Sequence, residues 1–176
     1  MLKLTHVEKE QFDLFVKNHP TKSHFLQSLA WGEFSKVKKN LTPYYLALVN
    51  ENNEIVAATL LLEKKLPMNF SYFYAPRGFV CDEHDKETLQ KLTEKAKEIA
   101  KKYKAFIFRL DPDISNEDEE FKKIAEEVGY KLKKNIKDID QVIQPKYVFR
   151  LDLSNKTEDE LLASFNQKTR YNIRLA

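Results

Sequence analysis

At 176 residues, with 42% hydrophobic and 32% charged side chains, the chain can bury the core of one domain. Thirty Lys and Arg against 27 Asp and Glu leave a formal net charge of +3, too little for a surface coated to bind nucleic acid. The single cysteine, Cys81, excludes an internal disulfide and a cysteine-based metal site. His6, His19, His24 and His84 lack ligand spacing, so no metal is expected. The start MLKLTHVEKEQFD has no apolar signal core and no run approaches 18 apolar residues, which points to a soluble, cytoplasmic protein.

In chain order, Leu2 to Thr5 reads as a short strand. A helix follows from about Val7 to Asn18, with Phe12, Phe15 and Val16 inward, and His19-Pro20 ends it. Ser28 can cap a second helix to about Lys39, carrying Leu29, Trp31, Phe34 and Val37. Tyr44 to Val49 and Ile55 to Leu62 form a hairpin across Asn50-Glu51-Asn52-Asn53. Phe70 to Tyr74 adds a strand, broken at Pro76 and Gly78. Asp85 to Lys104 is an amphipathic helix with a lysine-rich solvated face. Ala105 to Leu110 is a strand ending on Asp111-Pro112-Asp113, and a helix from Asn116 to Val128 stops at Gly129. A last strand, about Tyr147 to Leu153, leads into a helix opened by the capping box Thr157 and Glu160. That helix has no stop signal before Ala176, so the chain is expected to end inside it. The order predicts an α/β (α+β) fold, a mixed and largely antiparallel sheet with helices on both faces.

Few residues carry chemistry by pattern alone. Arg170 and Arg174 lie four apart on one helical face, where two guanidinium forks suit phosphate; a solvated basic face fits the same spacing. The second helix carries Trp31 with Lys36, Lys38 and Lys39, a core or cleft tryptophan beside lysines that could meet phosphate or only water. Asp111 follows an apolar strand, where ligands collect in open α/β sheets, although Asp-Pro-Asp also reads as a turn. Arg77 sits in the turn Tyr74-Ala75-Pro76-Arg77-Gly78 and is equally open. With three glycines, the chain holds no dinucleotide fingerprint, phosphate loop or nucleophile elbow.

Taken together, HFLQSLAWGEFSK (24–36), YAPRGFV (74–80), FRLDPDI (108–114) and QPKYVFRLDLS with LLASFNQKTRYNIRLA (144–176) resemble the FemABX aminoacyl transferases, which build the interpeptide bridge of bacterial peptidoglycan. The closing K-T-R-Y-N-I-R-x-A block is the most specific part of the likeness. The resemblance implies a fold of two halves related to the N-acetyltransferase (GNAT) superfamily. Residues 1–153 would be the first GNAT-like subdomain and 154–176 the start of a linking helix, with the second half absent.

The implied activity is transfer of an amino acid from aminoacyl-tRNA to an amine on the stem peptide of lipid II or its UDP-linked precursor. No cofactor is implied, since aminoacyl-tRNA is the donor substrate. Lys36 and Arg170 would hold the acceptor's pyrophosphate and Asp111 would orient or deprotonate its amine. Trp31 would wall the same cleft, and Arg77 and Arg174 are further substrate-binding candidates. Peripheral contact with the inner face of the membrane is implied, but no stable nucleic-acid complex for a fragment of this length. Such a fragment is expected to be inactive alone. An acyl-CoA-dependent GNAT-like acetyltransferase and a non-catalytic muropeptide or nucleotide-sugar binding domain are the competing readings.

Overall fold

The computed structural model describes residues 3–5, 8–133, 144–145, 149 and 151–176, in two compact units, 1–137 and 138–176. The first unit is built on a five-stranded sheet in the order β1 (Lys3–Thr5), β2 (Thr42–Val49), β3 (Ile55–Lys65), β4 (Ser71–Ala75) and β5 (Ala105–Leu110). Every neighbouring pair is antiparallel except β4 and β5, which are parallel. Asn50 drives the β2–β3 turn: its side-chain oxygen accepts from the Asn52 and Glu54 amides at 2.9 and 3.0 Å, while Asn53 takes φ +61°.

Over β2 and β3 the sheet is covered on both faces. On one, α3 (Lys86–Lys102) and α4 (Glu119–Glu127) cover Leu46, Leu48, Leu61, Phe73 and Ala75, with Leu89, Leu92 and Ala96 facing inward. On the other, α1 (Lys9–Asn18) brings Phe12 and Val16 onto Ala47, Val49, Ala58, Leu60 and Leu62. Each buried leucine or phenylalanine contributes about 1.5–3 kcal/mol by leaving water. Helices therefore lie on both faces of a mixed, largely antiparallel sheet, as the pattern predicts.

The second helix, α2 (Leu29–Lys39), is capped by Ser28, whose hydroxyl accepts from the Trp31 amide at 3.1 Å. It turns inward on small residues, Gly32 and Ser35, rather than on its large ones. A Cβ at Gly32 would lie 2.1 Å from the Tyr45 hydroxyl, so only glycine lets the helix sit this close to β2.

The closing helix expected from Thr157 onward is two helices, α5 (Glu158–Ser164) and α6 (Gln167–Leu175). The capping box is present, with the Glu160 carboxylate accepting from the Thr157 amide at 2.8 Å. The break comes at Phe165, which is extended, because Asn166 starts a new helix by accepting from the Thr169 amide at 2.8 Å. An asparagine read as helix interior is thus a cap. Of the strand expected over Tyr147 to Leu153, positions 147, 148 and 150 lie outside the described residues; Phe149, Leu151, Asp152 and Leu153 are described and are not in a strand.

Candidate functional site

Asp111 and Arg77 come together at the carboxyl ends of the parallel pair. The register sets Ala75 beside Leu110, so the residues following each strand emerge side by side. Alternation along the strands turns Phe73, Ala75, Phe108 and Leu110 toward α3. Tyr72, Tyr74, Ile107 and Arg109 face the other way. Helices α1 and α2 pack on β2 and β3, and beyond them Ile107 is 43% exposed. The result is a sheet face lined by polar and aromatic groups, with Asp111 at its head.

The Asp111 carboxylate is held at one oxygen and bare at the other. Its Oδ1 accepts from the Tyr74 hydroxyl at 2.8 Å and from the Arg77 amide at 2.9 Å. Its Oδ2 is buried with no hydrogen-bond partner, and so is Arg77 Nε. Burial pushes the carboxyl above its ordinary range, against the Tyr74 and Arg77 hydrogen bonds that pull it down. A fixed carboxylate of raised basicity with one free lone-pair edge can accept a proton or orient an ammonium.

The turn that feeds Asp111 is built for this contact. Gly78 N donates to Ala75 O at 3.2 Å, and Pro76 takes the second position, where its ring fixes φ. Arg77 then adopts φ +59°, at a backbone cost of about 1–2 kcal/mol for a residue with a Cβ, and points its amide at Asp111. At Gly78, φ is +75° and a Cβ would stand 2.9 Å from Pro112 Cα and Cβ. The APRG turn and the DPD turn therefore fit only with glycine at 78. The sequence separates them by more than 30 residues; the structure makes them one site.

Two groups with no role in the sequence reading complete it. Tyr74 anchors the carboxylate. Gln27, in a 3-10 turn (Phe25–Gln27), is 1% exposed; its Nε2 donates to Pro76 O at 2.5 Å and its Oε1 accepts from Leu60 N at 2.7 Å. Its partners are 49 and 33 residues away, so no local pattern signals the role. A second brace is Lys22, whose ammonium lies 2.7 Å from Glu83 Oε1 and donates to Asp113 O at 3.0 Å.

The remaining candidates are carried by α2 in the first unit and by α6 in the second. Trp31 is half-buried, edge-on to Phe25, stacked on Phe34, with the Lys39 ammonium 4.3 Å from its ring centre. Lys36 is exposed and leaves α2 about 140° around the helix from Trp31, on the flank of Glu33, whose carboxyl is held low first by the Lys9 hydrogen bond and also by Lys36. Both belong to the first unit. In the second unit Arg170 and Arg174 share α6; Arg174 is exposed, and Arg170 Nη1 donates to Phe165 O and to Ala163 O, the latter at 3.4 Å. The Arg170 guanidinium thus closes the carboxyl end of α5.

The Lipid II:glycine glycyltransferase of Staphylococcus epidermidis is 35% identical over 175 residues, covering 97% of this chain and 41% of that protein. The chain thus spans about two-fifths of the length of the curated relatives it matches. Its fold superposes on the crystal structure of FemX with a TM-score of 0.70 at 30% identity, over 98% of this chain and 43% of that one. An aminoglycoside 6'-N-acetyltransferase from Acinetobacter baumannii shares the fold alone, at TM-score 0.54 and 9% identity over 85% of this chain and all of that one. The sequence pattern of the FemAB family matches residues 7–176, and the chain belongs to that family.

Proposed function

We propose that the chain is the acceptor-side part of an aminoacyl transferase that extends the stem peptide of lipid II, drawing the amino acid from aminoacyl-tRNA without a cofactor. The observation that carries this reading is the Asp111 carboxylate, one oxygen tied to Tyr74 and Arg77 and the other bare and buried. An acceptor amine bound on the face of Tyr72 and Arg109 would reach that free oxygen. Asp111 would take up the proton as the amine attacks the aminoacyl ester and return it to the tRNA ester oxygen, which leaves as a hydroxyl when its bond to the carbonyl carbon breaks. Positioning does most of the work in such a step, because amine and ester are both reactive once aligned. Arg77, with an unpartnered Nε beside the carboxylate, would bind a carbonyl or carboxylate of the same stem.

In this reading Lys36 and Arg170 are ligands for the acceptor's pyrophosphate, Trp31 is an aromatic contact for the acceptor, and Arg174 is a second guanidinium on α6. The glycyltransferase relatives support lipid II as acceptor. The test is transfer of label from glycyl-tRNA to lipid II by the full-length protein that carries this chain. Asp111→Asn should lower kcat by about 10²–10⁴, the range for a positioned acid or base, with little change in KM. Saturable acyl-CoA binding with no transfer from aminoacyl-tRNA would favour an acetyltransferase instead.

A further inference from the structure

The small net charge conceals a strong local imbalance. Three segments meet at the end of the sheet where β4 and β5 begin: the last turn of α2, the β3–β4 connection and the α3–β5 turn. The antiparallel order of β2, β3 and β4 brings the first two there, and α3 runs back to deliver the third. The α2 turn carries Lys36, Lys38 and Lys39, and the β3–β4 connection opens on Lys64 and Lys65. Lys101, Lys102 and Lys104 flank the α3–β5 turn, and all of these side chains are exposed. Stretches 34–45, 64–73 and 99–108 contain no aspartate or glutamate. Among the described residues none of these lysines has a carboxylate within ion-pair distance, whereas Lys91 and Lys95, farther up α3, pair with Glu87 and Glu98.

Apolar side chains stand among the lysines. Val37 is 74% exposed, Met68 83%, Phe70 42% and Phe106 61%. The turn itself turns Met68 outward: Met68 and Asn69 take φ +58° and +60°, a left-handed pair that asparagine tolerates and that costs Met68 about 1–2 kcal/mol. Among the described residues none covers the Met68 side chain to recover that cost.

We propose that this end of the fold docks on an anionic lipid bilayer, with Met68 and Phe70 entering the headgroup region and the lysines against acidic headgroups. Lysine is a compact charge on a long apolar stem, suited to the diffuse charge of a lipid surface and able to reach it while its stem lies in the interface. A face made for nucleic acid would favour arginine forks, and these segments have none; the most exposed apolar side chains, Met68 and Val37, have no ring to stack on a base, and Phe70 and Phe106 are less exposed than either. The docking rests on the function proposed above, since a lipid-linked acceptor stands in such a surface. Asp111 lies about 20 Å along β5 from Ala105, which leaves height for a sugar and a peptide stem between bilayer and carboxylate.

The test is co-sedimentation of the chain with vesicles free of any peptidoglycan precursor. Vesicles with phosphatidylglycerol should bind it, pure phosphatidylcholine should not, and binding should fall as salt rises. Lys64→Ala with Lys65→Ala should weaken binding about 25-fold, from about fivefold per lysine at an anionic surface. Met68→Asp should weaken it about tenfold or more, while Lys95→Ala leaves it unchanged. All four side chains are exposed or partly so, and matching thermal melts would show that each variant folds. Failure to bind phosphatidylglycerol at low salt overturns the proposal. So does wild-type binding by Met68→Asp, which would mark a general polyanion face of the kind transfer RNA uses. Neither result bears on the transferase reading, which transfer to a soluble nucleotide-linked muropeptide tests separately.

Discussion

Replacing Gln27 with leucine removes a buried amide that joins two parts of the fold at a gap in the sheet. β3 pairs with β4 from Leu62 onward, and Val80 rejoins it at Ala58, so Leu60 has no strand neighbour on that side. Gln27 fills the gap, accepting from Leu60 N at 2.7 Å and donating to Pro76 O at 2.5 Å. Leucine has nearly the same volume, so the cavity term is small and the loss is polar. It leaves one buried N–H and one buried carbonyl unpaired, at about 1–3 kcal/mol each, so the variant should lose about 4 kcal/mol. With a slope near 2 kcal/mol/M for a domain of this size, the urea midpoint should fall by about 2 M. Trp31, the only tryptophan, reports the transition by fluorescence. Pro76 precedes the amide that holds Asp111, so transfer by the full-length protein should fall even under conditions where the variant is folded. A loss below about 1 kcal/mol with an unchanged slope would refute the role assigned to Gln27.

Gly78→Ala combines a left-handed backbone with a Cβ 2.9 Å from Pro112, so it should cost about 3 kcal/mol and displace the Asp111 turn; a urea midpoint equal to wild type would show that the two turns are not interlocked. Asp111 links stability to pH. Because burial raises its folded value above 3.8, the folded chain holds this proton more tightly than the unfolded chain. Its favourable contribution is complete below the unfolded value and is lost as pH rises through the raised folded value. Asp111→Asn lacks that loss, so its urea midpoint should gain on wild type as pH rises from about 4 through the raised folded value; a difference constant with pH would count against the burial argument.

The sheet's mixed, largely antiparallel character and the helices of the first unit were legible because each rests on local rules. Asn50-Glu51-Asn52-Asn53 carries turn residues between two apolar runs, and Ser28 and Asp85 cap the helices they precede. The single closing helix was misread because Asn166 lies among good helix formers, and only its side-chain bond to Thr169 N shows it as a cap. Asp111 and Arg77 were visible as separate turn residues. Their union was not, because it depends on the parallel register of β4 and β5 and on Gly78 meeting Pro112. Tyr74 and Gln27 lie in segments that carry the family likeness, but their roles were not legible: one alternates like any strand tyrosine, and the other has its partners 33 and 49 residues away.

Among the described residues of the first unit Glu63 and Glu83 are buried and Asp111 is half-buried with one oxygen out of water, and the way each of the three is satisfied separates structure from chemistry. Glu63 is 1% exposed and fully engaged: one oxygen accepts from Ser71 Oγ at 2.5 Å, the other from the Tyr44 hydroxyl at 2.9 Å. It closes the α3 side of the core at the lysine-rich end, and a substrate could reach it only by breaking those bonds. Glu83, 4% exposed, is balanced by the Lys22 ammonium at 2.7 Å. That contact is off the hydrogen-bond angle but still compensates the charge, since Coulomb attraction does not depend on angle. Burial still raises the Glu83 carboxyl, with Lys22 pulling the other way, as expected of an ion pair that braces a loop. Asp111 keeps one buried oxygen without a hydrogen-bond donor, and the Arg77 and Arg109 charges only partly offset its burial, at the end of the open face of β4 and β5. A buried lone pair left unmatched costs the fold about 1–3 kcal/mol, and an arriving ammonium recovers that cost by supplying the missing donor. The same oxygen that weakens the free protein therefore favours the bound amine, and Asp111 is the one of the three whose loss should be felt in catalysis before it is felt in folding.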